Sequence, residues 1–95
     1  MLEVSFTPRF SRDIKKAKRR YGPLDSLREV IDLIAADTAE AKEMLRVRHN
    51  AHRLKGSYLG LNECHVANIG DWLLIWGTDG NHAVMYCTGS YDDLF

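Results

Sequence analysis

The sequence predicts an α+β domain, with helices packed on one face of a small, mostly antiparallel sheet. Three observations lead there. One alternating apolar segment opens the chain, two amphipathic helical stripes follow it, and after Arg53 the texture changes to short β-prone runs separated by turn residues. A chain of 95 residues has too little apolar surface to divide between two cores, so residues 1–95 read as a single domain.

Leu2, Val4 and Phe6 alternate with Glu3 and Ser5, the period of a half-buried strand. Thr7 is placed to cap a helix whose first residue is Pro8, where a missing N–H costs nothing. Phe10, Ile14, Ala17 and Tyr21 form its apolar face, and Gly22-Pro23 ends it. Ser26 with Glu29 three residues later predicts a capping box, ahead of the stripe Leu27, Val30, Ile31 and Ile34. A short connection makes these two helices an antiparallel pair. Residues 37–49 are rich in helix formers and predict a short third helix or a helical extension. Cys64-His65-Val66, Trp72 to Trp76 and Ala83 to Cys87 then read as strands. Turns are expected at Asn68-Ile69-Gly70 and at Thr78 to Asn81, where Asp79-Gly80 is a hairpin signal.

Net charge is zero, but its distribution is uneven. Residues 1–20 carry seven Lys/Arg against two acids, 21–45 two against six, and 46–55 four against none. From Gly56 onward there is no Lys or Arg and there are five acids. Each basic block alone could be a solvated helix face, yet two of them favour an anionic partner. No segment has the length of a membrane span, and the N-terminus lacks a hydrophobic signal core, so a cytoplasmic protein is expected. In that compartment Cys64 and Cys87 are expected as reduced thiols.

Two imidazoles, His52 and His65, and one carboxylate, Asp71, lie close to the basic strip, which suggests acid–base chemistry on an anionic substrate. Each has a plainer reading. His65 alternates with Cys64 and Val66 and could be a satisfied strand histidine; Asp71 follows Gly70 and could cap a turn. His49 and His52, three apart, lack further ligand spacing, so neither a metal nor a cofactor is expected. His82 falls in a turn and reads as exposed, and Trp72 and Trp76 share one strand face and read as core.

Four segments occur in an order that resembles a known family: His52-x-Leu54-x-Gly56, Glu63-Cys64-His65-Val66, Asp71-Trp72-Leu73-Leu74-Ile75, and Thr88-Gly89-Ser90 with a terminal Leu94-Phe95. With the segment from Phe6 to Lys16 they make nearly the whole chain similar to the YafQ branch of the RelE/ParE superfamily, small bacterial toxins of type II toxin–antitoxin pairs. The resemblance implies a RelE-like fold, with an N-terminal strand and two-helix hairpin on the sheet. It implies a metal-independent, ribosome-dependent endoribonuclease that cleaves messenger RNA and arrests translation. It also implies a cognate antitoxin protein that wraps the domain in a hetero-oligomer.

Such cleavage needs a base for the 2′-hydroxyl, an acid for the leaving 5′-oxygen and cations for the phosphorane. The resemblance maps His52, His65 and Asp71 onto the catalytic positions and Phe95 onto a terminal aromatic that can stack on a base. Arg12, Lys15, Lys16, Arg19, Arg46, Arg48, Arg53 and Lys55 are the candidate RNA contacts. Two departures stand out. Tyr91 replaces the usual histidine of the terminal element, and its pKa of about 10 suits an acid but not a base at neutral pH. Cys87 replaces an arginine often found before the Thr-Gly, which removes a phosphate clamp. The helical character of 37–49 also departs from a shorter, proline-containing loop. The departures imply weaker or differently specific activity, and they suit a rival reading as a homologue that only binds antitoxin. A second rival, a gyrase-inhibiting ParE-like toxin, would have no use for two imidazoles beside an acid.

Overall fold

A computed structural model describes residues 1–67 and 71–95. The turn expected at Asn68-Ile69-Gly70 lies outside the described residues. The elements run β1 (Glu3–Phe6), α1 (Pro8–Tyr21), α2 (Asp25–Ala36), α3 (Ala39–His49), β2 (His52–Arg53), a 3₁₀ turn (Gly56–Tyr58), β3 (Asn62–His65), β4 (Leu73–Asp79), β5 (His82–Gly89) and α4 (Tyr91–Leu94). The strands make one sheet in the order β1-β5-β4-β3-β2, antiparallel except for the parallel β1–β5 pair.

Local chemistry explains most boundaries. The Thr7 hydroxyl accepts the Phe10 N–H at 3.0 Å, Pro8 opens α1, and Gly22 ends it with φ +86°, a conformation that a Cβ disfavours. The third helix forms with its own cap, Thr38 accepting the Ala41 N–H at 3.0 Å. It joins α2 through Asp37 in the left-handed region. One expectation fails. Helix α2 begins at Asp25, before Ser26, and no side chain caps it, so the Ser26–Glu29 box does not form. Gly80 and Asn81 link Asp79 to its partner His82 as a two-residue hairpin loop.

Helices α1–α3 cover one face of the sheet. Phe10, Leu27, Val30, Ile34 and Leu45 pack there against Cys64, Leu74, Trp76, Ala83 and Met85. Trp72 stacks on Tyr21 with ring centroids 4.5 Å apart, so both tryptophans belong to the core. The opposite face carries a smaller cluster of Leu73, Ile75, Cys87 and Leu94 with Leu54, Tyr58 and Leu61. A register shift between Ile75 and Trp76 leaves Tyr86 as an extra residue in β5. That bulge reverses the alternation: Ala83 and Met85 face the helices, while Cys87 joins the opposite face.

Candidate active site

The face opposite the long helices is where the sequence-predicted chemistry gathers. Strand β3 alternates, burying Cys64 among the helices and turning Glu63 and His65 to the other side. His52 is the register partner of Glu63, and its Nε2 lies 3.4 Å from Glu63 Oε1. Across the sheet the row runs His52, Glu63, Ile75, Cys87, about 14 Å at three strand steps of about 4.8 Å. His65 stands diagonal to His52, about 7–8 Å in a regular ladder, and its own row passes Leu73 to end at Gly89. The register thus sets the two histidines and Glu63 on one face of the sheet, with His52 and Glu63 in contact.

Hydrogen bonding fixes the roles of the ring nitrogens. His52 Nδ1 is 2.8 Å from the Asn50 carbonyl, which can only accept, so Nδ1 carries hydrogen and Nε2 is the nitrogen that exchanges a proton. His49 donates in the same way to the carbonyl of His65 at 2.8 Å, tying α3 to β3. His82 pairs with Glu3 at 3.1 Å on the exposed far side of the hairpin.

The C-terminal turn walls this face. Ser90 and Asp93 close a capping box, and the Asp71 carboxylate accepts the Tyr91 N–H at 2.9 Å. Asp71 thereby anchors the turn that carries Tyr91. Tyr91 and Phe95 are exposed, their rings tilted by 30° with centroids 4.9 Å apart; Phe95 meets the edge of Tyr58 at 5.4 Å. The Tyr58 hydroxyl donates to the Leu94 carbonyl at 2.8 Å, which completes the wall. Hydrogen bonds from the Ser90 N–H and hydroxyl hold the Asp93 carboxyl below its ordinary range, and Lys16 and Arg20 add to the effect. Burial pushes both thiols up, Cys64 on the helix side and Cys87 on the open side, the latter against the pull of Arg9. On opposite faces of the sheet, both stay protonated and free.

The predicted cations do not form one patch. Lys16 joins Arg9 and Arg20 around a pocket of about 190 Å³ against Thr88, Gly89 and Asp93. Arg46 and Arg53 line a hollow of about 370 Å³ beneath β2 with Lys42 and Trp76. Arg12, Lys15 and Arg19 are exposed on the outer side of α1, Arg48 lies beside Glu29 and His49, and Lys55 precedes the 3₁₀ turn. Arg46 is tied to Glu43, whereas the other seven candidates pair with no carboxylate among the described residues. Sequence reasoning missed Glu63, only 7% exposed, and Tyr58. The alternation that marks His65 also marks Glu63, and was the available signal.

Comparison with known proteins identifies the family and matches the overall fold. The family described as the bacterial toxin of type II toxin–antitoxin system, YafQ, matches residues 2–95. The mRNA interferase toxin YafQ of Escherichia coli (strain K12) is 26% identical over 93 residues, covering 98% of this chain and 95% of that protein. The crystal structure of YafQ from Escherichia coli strain BL21(DE3) superposes with a TM-score of 0.84 at 25% identity, covering 100% of this chain and 99% of that one. YafQ in the Escherichia coli DinJ–YafQ complex gives 0.83 at 25% identity, with the same coverage.

Proposed function

The chain belongs to the YafQ family of type II toxin–antitoxin toxins, and we propose that it is an mRNA interferase held in check by an antitoxin protein. It acts in the cytoplasm on messenger RNA bound to the ribosome, and a cognate antitoxin neutralises it by binding, as DinJ assembles with YafQ. The observation that carries the reading is the His52–Glu63–His65 cluster beside an exposed aromatic wall.

The chemistry follows from that cluster. His52 Nε2 takes the proton of the 2′-hydroxyl, and Glu63 at 3.4 Å stabilises the imidazolium that results. The 2′-oxygen attacks the neighbouring phosphorus, and the 5′-oxygen leaves with a proton from His65. The products are a 2′,3′-cyclic phosphate and a 5′-hydroxyl, and no metal takes part. Tyr91 and Phe95 offer ring faces on which a substrate base can stack, and the uncompensated arginines and lysines meet phosphate. Asp71 contributes by holding the Tyr91 backbone.

The test is cleavage of messenger RNA on programmed ribosomes by purified protein, with 5′ ends mapped and product termini identified. Cyclic-phosphate and 5′-hydroxyl ends, suppressed by antitoxin, are expected. Intact messenger RNA with accumulating gyrase–DNA breaks would move the protein to the ParE-like reading.

A further inference from the structure

Cys87 brings no charge to the open face, yet a guanidinium reaches this part of it from another element. Strand β1 pairs with β5 only as far as Met85, leaving the β5 edge beyond it without a strand partner. The first turns of α1 occupy that edge instead. The Thr7 hydroxyl donates to the Tyr86 carbonyl at 2.6 Å, and the Thr88 N–H donates to Asp13 at 3.1 Å, so the two contacts bracket Cys87. Arg9 lies between Thr7 and Asp13 in the chain and turns toward the C-terminal wall. Its Nη2 is 3.4 Å from the Asp93 carbonyl, and its Nε is 3.8 Å from Asp13.

We propose that Arg9 supplies the phosphate-binding guanidinium of this active site, reaching the β5 edge from α1. Three observations support the assignment. Arg9 and Tyr58 hold neighbouring carbonyls of the C-terminal turn, Asp93 at 3.4 Å and Leu94 at 2.8 Å, and the Tyr58 ring meets Phe95. Cys87 stands two strand steps from Glu63 in the same row, and Thr7 and Asp13 bracket it from α1, so Arg9 enters beside the row that carries Glu63. With its side chain 45% exposed and, among the described residues, one carboxylate within 4 Å, at 3.8 Å, Arg9 keeps donors for an incoming phosphate. Lys16 and Arg20 line the adjoining pocket and extend the positive edge along α1.

This inference rests on the ribonuclease reading above, and the experiment separates the two. Single-turnover cleavage on programmed ribosomes is measured for the native protein, Arg9→Ala and Arg9→Lys, each with its melting temperature. Arg9→Ala should cleave roughly 10²–10³-fold more slowly, the usual loss when one transition-state donor is removed. Millimolar ethylguanidinium should restore part of that rate saturably, an effect that a structural contact would not give. Arg9→Lys should fall between, keeping charge without the planar fork. Native rates in Arg9→Ala would overturn the proposal. So would a slowed Arg9→Lys, folded to the native melting temperature, together with an Arg9→Ala that ethylguanidinium leaves unchanged. A native protein with no cleavage at all would instead sink the ribonuclease reading.

Discussion

Replacing Thr88 with valine removes a hydroxyl from the interior without changing the volume of the side chain. Thr88 is 3% exposed, and its Oγ1 makes two bonds. It accepts the Trp72 indole N–H at 3.0 Å and donates to the Leu73 carbonyl at 2.6 Å. Trp72 is itself 3% exposed, so valine leaves a buried N–H with no partner and no water to replace it. An orphaned buried donor costs about 1–3 kcal/mol, and the lost bond to Leu73 adds about 1. The expected loss is therefore roughly 2–4 kcal/mol, against a total stability of about 5–15 kcal/mol for a domain. At roughly 4–8 °C per kcal/mol for a domain near this size, the melting temperature should fall on the order of 10–30 °C. Calorimetry of Thr88→Val, Thr88→Ser and Trp72→Phe with the Thr88→Val double variant provides the assay. Serine should retain most of the stability, and the double variant should lose less than the sum, because the orphan is gone. A Thr88→Val protein melting within 2–3 °C of native, roughly half a kcal/mol or less, would refute the claim that this hydroxyl locks β5 to the core.

Other perturbations address the site. His52→Ala and His65→Ala should each slow cleavage by roughly 10²–10⁴-fold while the fold survives, as checked by circular dichroism and ribosome assays; a native rate in either variant removes that histidine from the mechanism. Glu63→Gln should slow cleavage, since the amide no longer offsets the positive charge that forms on His52, and a native rate would count against the pair. Tyr91→Phe should leave stability nearly intact, because only an exposed oxygen goes, and should slow cleavage only if the hydroxyl donates a proton; Tyr91→His should keep or raise the rate. Asp93 has a folded-state pKa below its unfolded value, so its contribution to the C-terminal turn is present above the ordinary carboxylate range and is lost as pH falls through the lower folded value. Hydrogen exchange at residues 91–95 should therefore accelerate in strong acid, and Asp93→Asn should show that acceleration already at neutral pH.

Features set by neighbours in sequence could be read from the sequence. Thr7-Pro8, Gly22 and the Gly80-Asn81 loop act within a few residues, and each does what its chemistry predicts. The Ser26–Glu29 pattern misleads because α2 starts one residue earlier, which puts Ser26 inside the helix. Long-range features were less accessible. Strict alternation places Cys87 with Ala83 and Met85, and only the bulge at Tyr86, set by pairing with β4, moves it to the opposite face. Glu63 is a single acid in an apolar strand until His52 is brought opposite it, and β2 has only two residues to announce that pairing. The link from Arg9 to Asp93 spans 84 positions and has no local signature.

The terminal Thr-Gly-Ser element shows how a motif can look like chemistry and serve as an anchor. A four-residue helix has no stability of its own, since nucleation costs more than one turn returns. Thr88 fixes the end of β5 through Trp72 and Leu73. Gly89 leaves room for the turn to fold back: a Cβ there would lie 3.1 Å from the Asp93 carboxylate and 3.2 Å from its Cβ, and φ +157° is strained for other residues. Ser90 then closes the capping box with Asp93, while Asp71, Tyr58, Arg9 and Arg20 hold the turn from outside. Tyr91 and Phe95, the residues exposed to a substrate, are thus positioned entirely by contacts from distant segments. Preorganisation of this kind is what lets one turn at the chain end act as a rigid wall beside the histidine cluster.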